Sequence, residues 1–329
     1  MDNIRSITID SILKYVTFRQ LQIFVSVVRQ KSFTKAAEEL YLAQPTISLQ
    51  IKKLTDAVGI PLFEQIGREV RPTDAGVDLY NVCRELFQLF DNLDTQISDR
   101  KGLRRGKLRL GVVTTAKYIA PELLAAFGKQ YPGIEFSMKV SNRDEIIRRI
   151  QNYEDDLYIM GQVPSDEVDV EAVPFALNPL TIMVPRGHEL SRLTKPVPLQ
   201  VIADVPFLIR EPGSGTRHAY VRLFSEKNIK LRIAMELSSN EAIKHAIASG
   251  LGISILSIHS LALEGLGGPI EILEAEGFPI LRKWYLVSPR GRSLSLTAQK
   301  FLEFCVGQEN YITRRLTDLW PGLEGYLRA

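Results

Sequence analysis

The chain has 329 residues but only two cysteines, Cys83 and Cys305, which lie far apart in the sequence. Two isolated thiols give neither a disulfide framework nor the paired spacing of a zinc site. The four histidines show no metal-ligand spacing either. We therefore expect no metal site and no cofactor, and we interpret each histidine as a surface or packing residue.

Long apolar runs are also missing, since no stretch approaches the roughly 18 residues of a membrane-spanning helix. The first ten residues, MDNIRSITID, lack the basic and then apolar layout of a secretory signal. A composition of 45% apolar and 24% charged residues is ordinary for a water-soluble protein. These features predict a cytoplasmic protein with no membrane partner, long enough for two or three domains.

Residues 32–54, SFTKAAEELYLAQPTISLQIKKL, have the pattern of a helix-turn-helix. Residues 41–43 make a short connection, and Pro45 suits the first turn of a second helix because its missing N–H has no partner there. Ile47, Ile51 and Leu54 then recur at i, i+4 and i+7. This stripe would pack on the first helix and leave polar side chains free to bond with base edges or phosphates.

A helical hairpin with a polar outer face would share this pattern, so the flanking sequence decides between the two interpretations. Residues 17–30 predict a further helix that supports the pair. Residues 67–73, GREVRPT, place a glycine turn among basic residues and predict a small wing that could touch the DNA backbone or minor groove. Together these features favour a winged helix-turn-helix that binds DNA.

Over some 60 residues this region resembles a LysR-type transcriptional regulator. Two departures from the family pattern are visible, because Thr55 stands where the family commonly has Glu, and Gln65 where it commonly has Arg. The matching positions are Ala36-Ala37, Leu40, Gln44-Pro45, Ser48, Ile51, Leu54, Gly59, Leu62-Phe63, Thr73 and Ala75-Gly76.

We therefore expect residues 1–76 to form a winged helix-turn-helix domain that binds double-stranded promoter DNA. A two-fold pair of such domains would recognise an inverted repeat with half-sites about one helical turn, or a multiple of it, apart. The expected DNA-contacting residues are Thr34, Gln44, Pro45, Thr46, Ser48, Gln50, Lys52, Lys53, Arg68 and Arg71.

Residues 77–106 are expected to form a linker helix followed by a hinge. A heptad seam favours a partner helix, although a helix packed on its own chain would show the same seam. The seam consists of Leu79, Val82, Leu86, Leu89, Leu93 and Gln96. The resemblance implies pairing through this helix into a homodimer and then a homotetramer, and it allows contact with RNA polymerase. The hinge, residues 100–109, is interpreted as a solvated linker rather than a second DNA contact.

Beyond the hinge, strands and helices alternate, which is typical of parallel α/β units. The predicted strands are residues 108–113, 134–140, 157–160, 207–209, 253–256 and 284–287, and the predicted helices are 119–131, 144–152, 216–227, 242–248 and 296–305. Two lobes with two crossings form a type 2 periplasmic-binding-protein fold, which is also the effector domain of the LysR family. Lobe one covers about 107–180 and 280–307, lobe two about 181–279, and the extension 308–329 has no predicted role.

Ligands of open α/β sheets bind beyond the carboxyl ends of strands, where the next helix begins. Four segments reach that position, and one of them, REPGSGTR over residues 210–217, combines a glycine-rich turn with Ser and Thr before a helix. Such a turn binds anions through backbone donors, although a simple helix cap would look the same. The expected effector-binding residues are Thr114, Thr115, Lys117, Asn142, Ser214, Thr216, Arg217 and Asn240.

The stretches TTAKY, REPGSGTR and FPILRKWY resemble the carbon-assimilation branch of the LysR family, which includes the CbbR, CmpR and NdhR regulators. The resemblance implies control of carbon-fixation, inorganic-carbon-uptake or NADH dehydrogenase genes. It also implies an anionic effector such as 2-phosphoglycolate, 2-oxoglutarate, ribulose bisphosphate or NADPH. The alternative within the family is a regulator of another pathway with a different carboxylate effector.

Two other classes of protein fit the sequence less well. A solute receptor would need an export signal and would have no use for the winged helix. An enzyme would need a catalytic set, but Ser214 lies in no GxSxG motif and Asp155-Asp156 has no evident acid–base partner. We therefore expect no catalytic residues.

Overall fold

The computed structural model describes residues 14–66, 69–99, 106–265 and 267–327. The chain divides into two compact units, residues 1–93 and 94–329. Arg68 and most of the expected hinge lie outside the described residues.

Three helices form the core of the first unit: α1 (Phe18–Gln30), α2 (Phe33–Leu40) and α3 (Gln44–Val58). Thr17 and Gln20 begin α1 with reciprocal side-chain to backbone hydrogen bonds of 3.2 and 2.8 Å. Pro45 lies in the first turn of α3, as the sequence predicted. The three helices share one buried core, which contains Phe24, Val27, Ala36, Ala37, Ile47, Ile51 and Leu54.

A two-stranded antiparallel wing follows, formed by β1 (Phe63–Ile66) and β2 (Glu69–Pro72). The next helix, α4 (Asp74–Asp99), begins close against the chain before the wing. A Cβ atom added at Gly76 would lie 2.2 Å from the carbonyl oxygen of Leu62, so this contact admits only glycine. The predicted winged helix-turn-helix is thus confirmed.

The apolar seam of α4 is only partly covered by its own chain. Leu79 packs against the core of the first unit, whereas Val82, Leu89 and Leu93 are about half exposed. The side chain of Gln96, the last predicted seam position, lies outside the described residues.

Lobe one contains a five-stranded sheet of β3 (Gly106–Val113), β4 (Ile134–Ser141), β5 (Leu157–Met160), β6 (Val170–Leu177) and β12 (Lys283–Pro289). The strand order is β4-β3-β5-β12-β6. Strand β3 is parallel to β4 and β5, but β12 is antiparallel to both β5 and β6. The parallel pattern expected from alternating strands and helices holds for β3, β4 and β5 but not for β12, because β6 leads out of the lobe and β12 returns beside it in the opposite direction.

Helices α5 (Ala120–Gln130), α6 (Arg143–Gln151) and α10 (Leu296–Val306) accompany this sheet. A 3₁₀ turn, Thr114–Tyr118, connects β3 to α5. Phe127 of α5 packs against Phe301 of α10, with ring centroids 5.2 Å apart, in the largest apolar core of the lobe.

Lobe two is built from β7 (Leu180–Pro185), β8 (Phe207–Arg210), β9 (Ile233–Leu237), β10 (Ser254–Ser257) and β11 (Ile270–Leu273). Strand β7 is antiparallel to β10 and β11, whereas β8 is parallel to β9. A parallel bridge between Phe207 and Ile253 joins the two groups. The resulting order, β9-β8-β10-β7-β11, repeats that of lobe one.

Helices α7 (Leu199–Ala203), α8 (Gly215–Glu226) and α9 (Asn240–Ala248) complete lobe two, with 3₁₀ turns at Glu189–Arg192 and Ile258–Leu261. Two chain crossings connect the lobes and lie side by side. The backbone N–H of Asn178 in the first donates to the carbonyl of Arg282 in the second, at 2.7 Å. The predicted two-lobed fold with two crossings is confirmed.

The carboxyl-terminal extension forms α11 (Glu309–Leu319) and α12 (Leu323–Leu327). Ile312 enters the core of lobe one, whereas Leu316 packs with Ile258 of lobe two. The extension therefore contacts both lobes. None of the helices within the described residues is long and apolar enough to cross a membrane.

Candidate functional site: a DNA-reading helix and an interlobe cleft

The polar face of α3 is available to a DNA partner. Gln44, Pro45, Thr46, Lys52 and Lys53 are exposed, because the buried stripe of the helix points toward α1 and α2. The side chains of Ser48 and Gln50 are partly buried, and that of Thr34, near the start of α2, is exposed. Gln44 donates to the hydroxyl of Ser48 at 3.0 Å, which fixes the first polar turn of the helix.

One predicted wing residue, Arg71, is paired within its own strand. Its guanidinium lies 2.8 Å from a carboxylate oxygen of Glu69, and this hydrogen bond and charge hold the pKa of Glu69 below its usual value. Both side chains are exposed, so a phosphate group can compete with Glu69 for the guanidinium. Arg68 lies outside the described residues.

In the second unit, a partly open cavity lies between the lobes. Its walls come from the ends of β3, β4 and β5 in lobe one, and from the turn between β8 and α8 in lobe two. The lining residues are Val113, Thr114, Thr115, Asn142, Arg143, Met160, Gly161, Gln162, Arg210, Ser214, Gly215, Thr216 and Arg282.

Five of the eight expected effector-binding residues line this cavity: Thr114, Thr115, Asn142, Ser214 and Thr216. The other three lie outside its lining and have partners of their own. Lys117 is 3.5 Å from a carboxylate oxygen of Glu241. Arg217 donates to the carbonyl of Arg210 at 2.7 Å and pairs with Glu236, and the side-chain oxygen of Asn240 accepts from Arg210.

The positive charge of the cleft comes instead from three arginines that sequence reasoning did not select. Arg143 is the first residue of α6, Arg210 is the last of β8, and Arg282 lies in the second crossing. Arg143 follows the expected residue Asn142, and Arg210 begins the glycine-rich segment 210–217, but the sequence does not indicate which side chain each turn directs into the cleft.

Arg282 connects the two walls of the cleft. Its Nε donates to the carbonyl of Gly161 at 2.9 Å in lobe one, and its Nη1 donates to the carbonyl of Gly215 at 3.2 Å in lobe two. Within the described residues, no carboxylate lies within ion-pair distance of this guanidinium. Burial, with the nearby charge of Arg143 acting in the same direction, lowers the pKa of Arg282 to about 10. The group therefore stays charged at neutral pH.

Helix ends add further donors. Helices α6 and α8 both begin at the cavity, capped by Asn142 and Ser214, whose side chains accept from backbone N–H groups at 3.0 and 3.4 Å. The positive ends of the two helix dipoles favour an anion between them. Among the described residues that line the cavity, Arg143 has a buried Nε without a hydrogen-bond acceptor. Such an orphaned donor at a cavity indicates a ligand with acceptor oxygens.

The residues weighed for catalysis have structural partners. Asp155 binds Arg149 through two 2.8 Å hydrogen bonds, and Asp156 binds Arg109 at 2.8 Å. The hydroxyl of Ser214 caps α8. This arrangement suits the binding of an anion rather than acid–base chemistry.

A family model for the LysR substrate binding domain matches residues 101–309, and a model for bacterial regulatory helix-turn-helix proteins of the lysR family matches residues 18–77. Together these models span most of the chain, and residues 78–100, most of them in α4, lie between the two matches.

Individual relatives are similar along nearly their whole length. The chain is 44% identical to the HTH-type transcriptional activator CmpR of Synechocystis sp., over 92% of this chain and 98% of that protein. It is 39% identical to the RuBisCO operon transcriptional regulator of Acidithiobacillus ferrooxidans, over 89% and 94%. A solved structure, the Synechocystis PCC6803 CcmR regulatory domain in complex with 2-PG, is 46% identical with a TM-score of 0.59, and the match covers 62% of this chain and 97% of that domain.

Proposed function

Since the chain belongs to the LysR family of bacterial helix-turn-helix transcriptional regulators, we propose that it controls carbon-fixation or inorganic-carbon-uptake genes. It would do so in the cytoplasm, in response to a small phosphorylated or carboxylated acid bound between the lobes. The observation that carries the effector class is the set of three arginines lining the cleft, one of which has no carboxylate partner among the described residues. The bound 2-PG of the CcmR relative, 2-phosphoglycolate, has this chemistry and is our first candidate.

On the DNA side, we propose that α3 enters the major groove. Gln44, Thr46, Ser48 and Gln50 would contact base edges or nearby phosphates, and Lys52 and Lys53 would contact phosphates. Thr34, Pro45, Arg68 and Arg71 would contribute at the edge of the interface. The exposed half of the α4 seam supports pairing of two chains, because half-exposed leucines on a long helix gain stability from a partner helix.

Regulation would follow from the angle between the lobes. An effector that contacts both walls binds one lobe arrangement better than another, and it can shift the equilibrium only by that difference in affinity. In an assembly of two or four chains, the shift would change the spacing of the DNA-binding domains and thus the bend of the DNA. RNA polymerase would then be the further partner at the promoter.

The effector is tested first by thermal unfolding of the full chain with a panel of acids. The panel sets 2-phosphoglycolate, 2-oxoglutarate, ribulose bisphosphate and NADPH beside aromatic acids, amino acids and sulfate. A ligand at a hundred times its dissociation constant adds about 2.7 kcal/mol of stability, a shift that is easily measured. Selective stabilisation by a carbon metabolite supports the proposal, whereas stabilisation by other acids alone would favour a LysR regulator of a different pathway.

The regulatory step is tested by footprinting of carbon-uptake promoters with and without the stabilising acid. We expect the protected length and the DNA bend angle to change when the acid saturates the protein. If both stay the same at saturation, the effector does not act through the spacing of the DNA-binding domains.

A further inference from the structure

One wall of the cleft already holds an anion of the protein itself. The guanidinium of Arg143 donates to both carboxylate oxygens of Glu167, with one hydrogen bond of 3.0 Å and a second shorter contact. Arg143 lines the cavity and its side chain is only 8% exposed, whereas that of Glu167 is 44% exposed. The carboxylate therefore occupies the outer side of a mostly buried cation.

Glu167 is held mainly by this one partner. It lies in the loop between β5 and β6, and the start of the same loop, Gly161 and Gln162, lines the cavity. Hydrogen bonding and the charge of Arg143, with a weaker contribution from His218 across the cleft on α8, hold the pKa of Glu167 below its usual value. The group is thus an anion at neutral pH, placed between the two lobes.

The charges of the cleft favour a competition between the ligand and Glu167 for Arg143. Three guanidinium groups line the cavity, and two of them are balanced by carboxylates, Arg143 by Glu167 and Arg210 by Glu211. A singly charged ligand balances the third, Arg282. A ligand with two or more charges brings a second anionic group that needs a cation, and like charges at one arginine repel each other.

Of the two carboxylates, only Glu167 is free to leave. Glu211 is the immediate neighbour of Arg210 in the chain, and its side chain is only 17% exposed. Its carboxylate therefore cannot move away from Arg210 into bulk solvent. Glu167 is 24 residues from Arg143 in sequence, lies in a loop, and already has nearly half of its side chain in water.

We propose that Glu167 is a specificity-determining residue that occupies the Arg143 anion subsite until a multiply charged effector displaces it. This inference rests on the proposed effector site. Glu167 competes with the second anionic group of a multiply charged ligand for Arg143, whereas a singly charged ligand that pairs with Arg282 leaves Glu167 in place. Its displacement frees the loop between β5 and β6 when the correct ligand binds.

The test is calorimetric titration of the full chain with 2-phosphoglycolate, glycolate and inorganic phosphate. Glu167→Gln removes the competing charge and keeps the shape of the side chain. We expect this variant to bind 2-phosphoglycolate about one and a half to five times more tightly than the wild type, the range for one partly exposed ion pair. The gain for glycolate, which has a single charge, is expected to be smaller.

Glu303→Gln is the matched control. Glu303 is also an exposed carboxylate paired with a cation, Lys300 at 2.7 Å, but it lies on α10 and not in the cavity lining. The affinity of the Glu303→Gln variant for all three probes should equal that of the wild type. A tighter Glu167→Gln variant cannot be explained by a merely structural role, because loss of a structural contact weakens binding.

The outcomes separate the two proposals. Wild-type binding of 2-phosphoglycolate with unchanged or weaker binding by Glu167→Gln overturns the competitor role and leaves the effector site intact. Equal gains for glycolate and 2-phosphoglycolate also overturn it. If neither the wild type nor the variant binds any of the three probes, the proposed effector class fails, and the competitor role fails with it.

Discussion

Lobe one and lobe two each bring an arginine to the same cleft, but they balance its charge in different ways. In lobe two, Arg210 is 2% exposed and is surrounded by fixed partners, namely the adjacent Glu211 and Asn240, the first residue of α9. In lobe one, Arg143 is paired with a half-exposed carboxylate that comes from a separate loop. The strand order of the lobes is the same, so the difference arises in the loops and not in the sheets.

This comparison separates two uses of a buried cation. Arg210 is part of the framework, because its removal would leave Glu211 without its positive partner in a largely buried place. Arg143 is part of the binding surface, because its partner can return to water. Four predictions test this division, from the largest expected effect to the smallest.

Arg210→Gln should destabilise the effector unit strongly. Removal of one partner from a buried ion pair costs about 3–5 kcal/mol, because the other charge stays buried without compensation. Thermal and urea unfolding of the full chain would measure the loss, and binding of 2-phosphoglycolate should fall with it. A loss below about 1 kcal/mol would place Arg210 in the same class as a surface pair.

Gly213→Ala should weaken the contact between the lobes. Gly213 has φ +80, its carbonyl accepts from the backbone N–H of Arg143 at 3.2 Å, and an added Cβ would lie 2.5 Å from a carboxylate oxygen of Asp144. The left-handed backbone alone costs about 1–2 kcal/mol for a residue with a Cβ. Displacement of Asp144 should in addition lower effector affinity, as measured by titration.

Gly250→Ala is the control for that substitution. Gly250 has φ +78, and an added Cβ there would meet no atom within 4 Å. Gly250→Ala should lower the unfolding temperature because of its left-handed backbone, without any change in effector affinity. Equal affinities of the two variants would mean that the Gly213 contact does not set the lobe arrangement.

Arg143→Gln should cost little stability and much of the affinity for phosphorylated acids. The loss leaves Glu167 in contact with solvent, so we expect about 0–1 kcal/mol in urea unfolding, as for a surface pair. Titration with 2-phosphoglycolate should show clearly weaker binding than the wild type. Unfolding as severe as that of Arg210→Gln would remove the distinction between the lobes.

The smallest effect is on the pH dependence of stability. Arg143 lowers the pKa of folded Glu167 below its ordinary value of 4.5, so the contribution of the pair is complete above pH 4.5 and is lost as the pH falls through the lowered pKa. The difference in unfolding midpoint between the wild type and Glu167→Gln should be present above pH 4.5 and disappear in acid. A difference that persists well below the lowered pKa would show that the ion pair between Arg143 and Glu167 does not cause it.

Much of the fold could be predicted because the signals are local. Capping by Thr17, the proline at position 45 and the spacing of Ile47, Ile51 and Leu54 depend on a few neighbouring residues. The antiparallel direction of β12 could not be read in this way, because it depends on where the chain re-enters lobe one after crossing lobe two.

The cleft could be located from strand ends, but its cations could not be identified from them. Lys117 follows β3 directly, yet it sits in a 3₁₀ turn and pairs with Glu241 outside the cavity lining. Arg282 gives no local signal, since it lies between strands in a basic stretch and reaches the cleft only through the second crossing. Residues far apart in sequence meet at the cleft through the topology of the fold. Arg143 and Arg210 line the cavity at strand ends, but the local sequence does not indicate which side chain each turn directs into it.

The helices that begin at residue 309 complete the apolar cores of the effector-binding unit. The family model ends there, but Ile312 fills the core of lobe one while Leu316, Trp320 and Leu323 cover Ile258 at the edge of lobe two. Arg315 and Tyr311 also bind Glu122 on α5. A fragment trimmed at the family boundary would expose apolar surface on both lobes at once, and a chimera that exchanges one lobe with a relative must carry a matching tail.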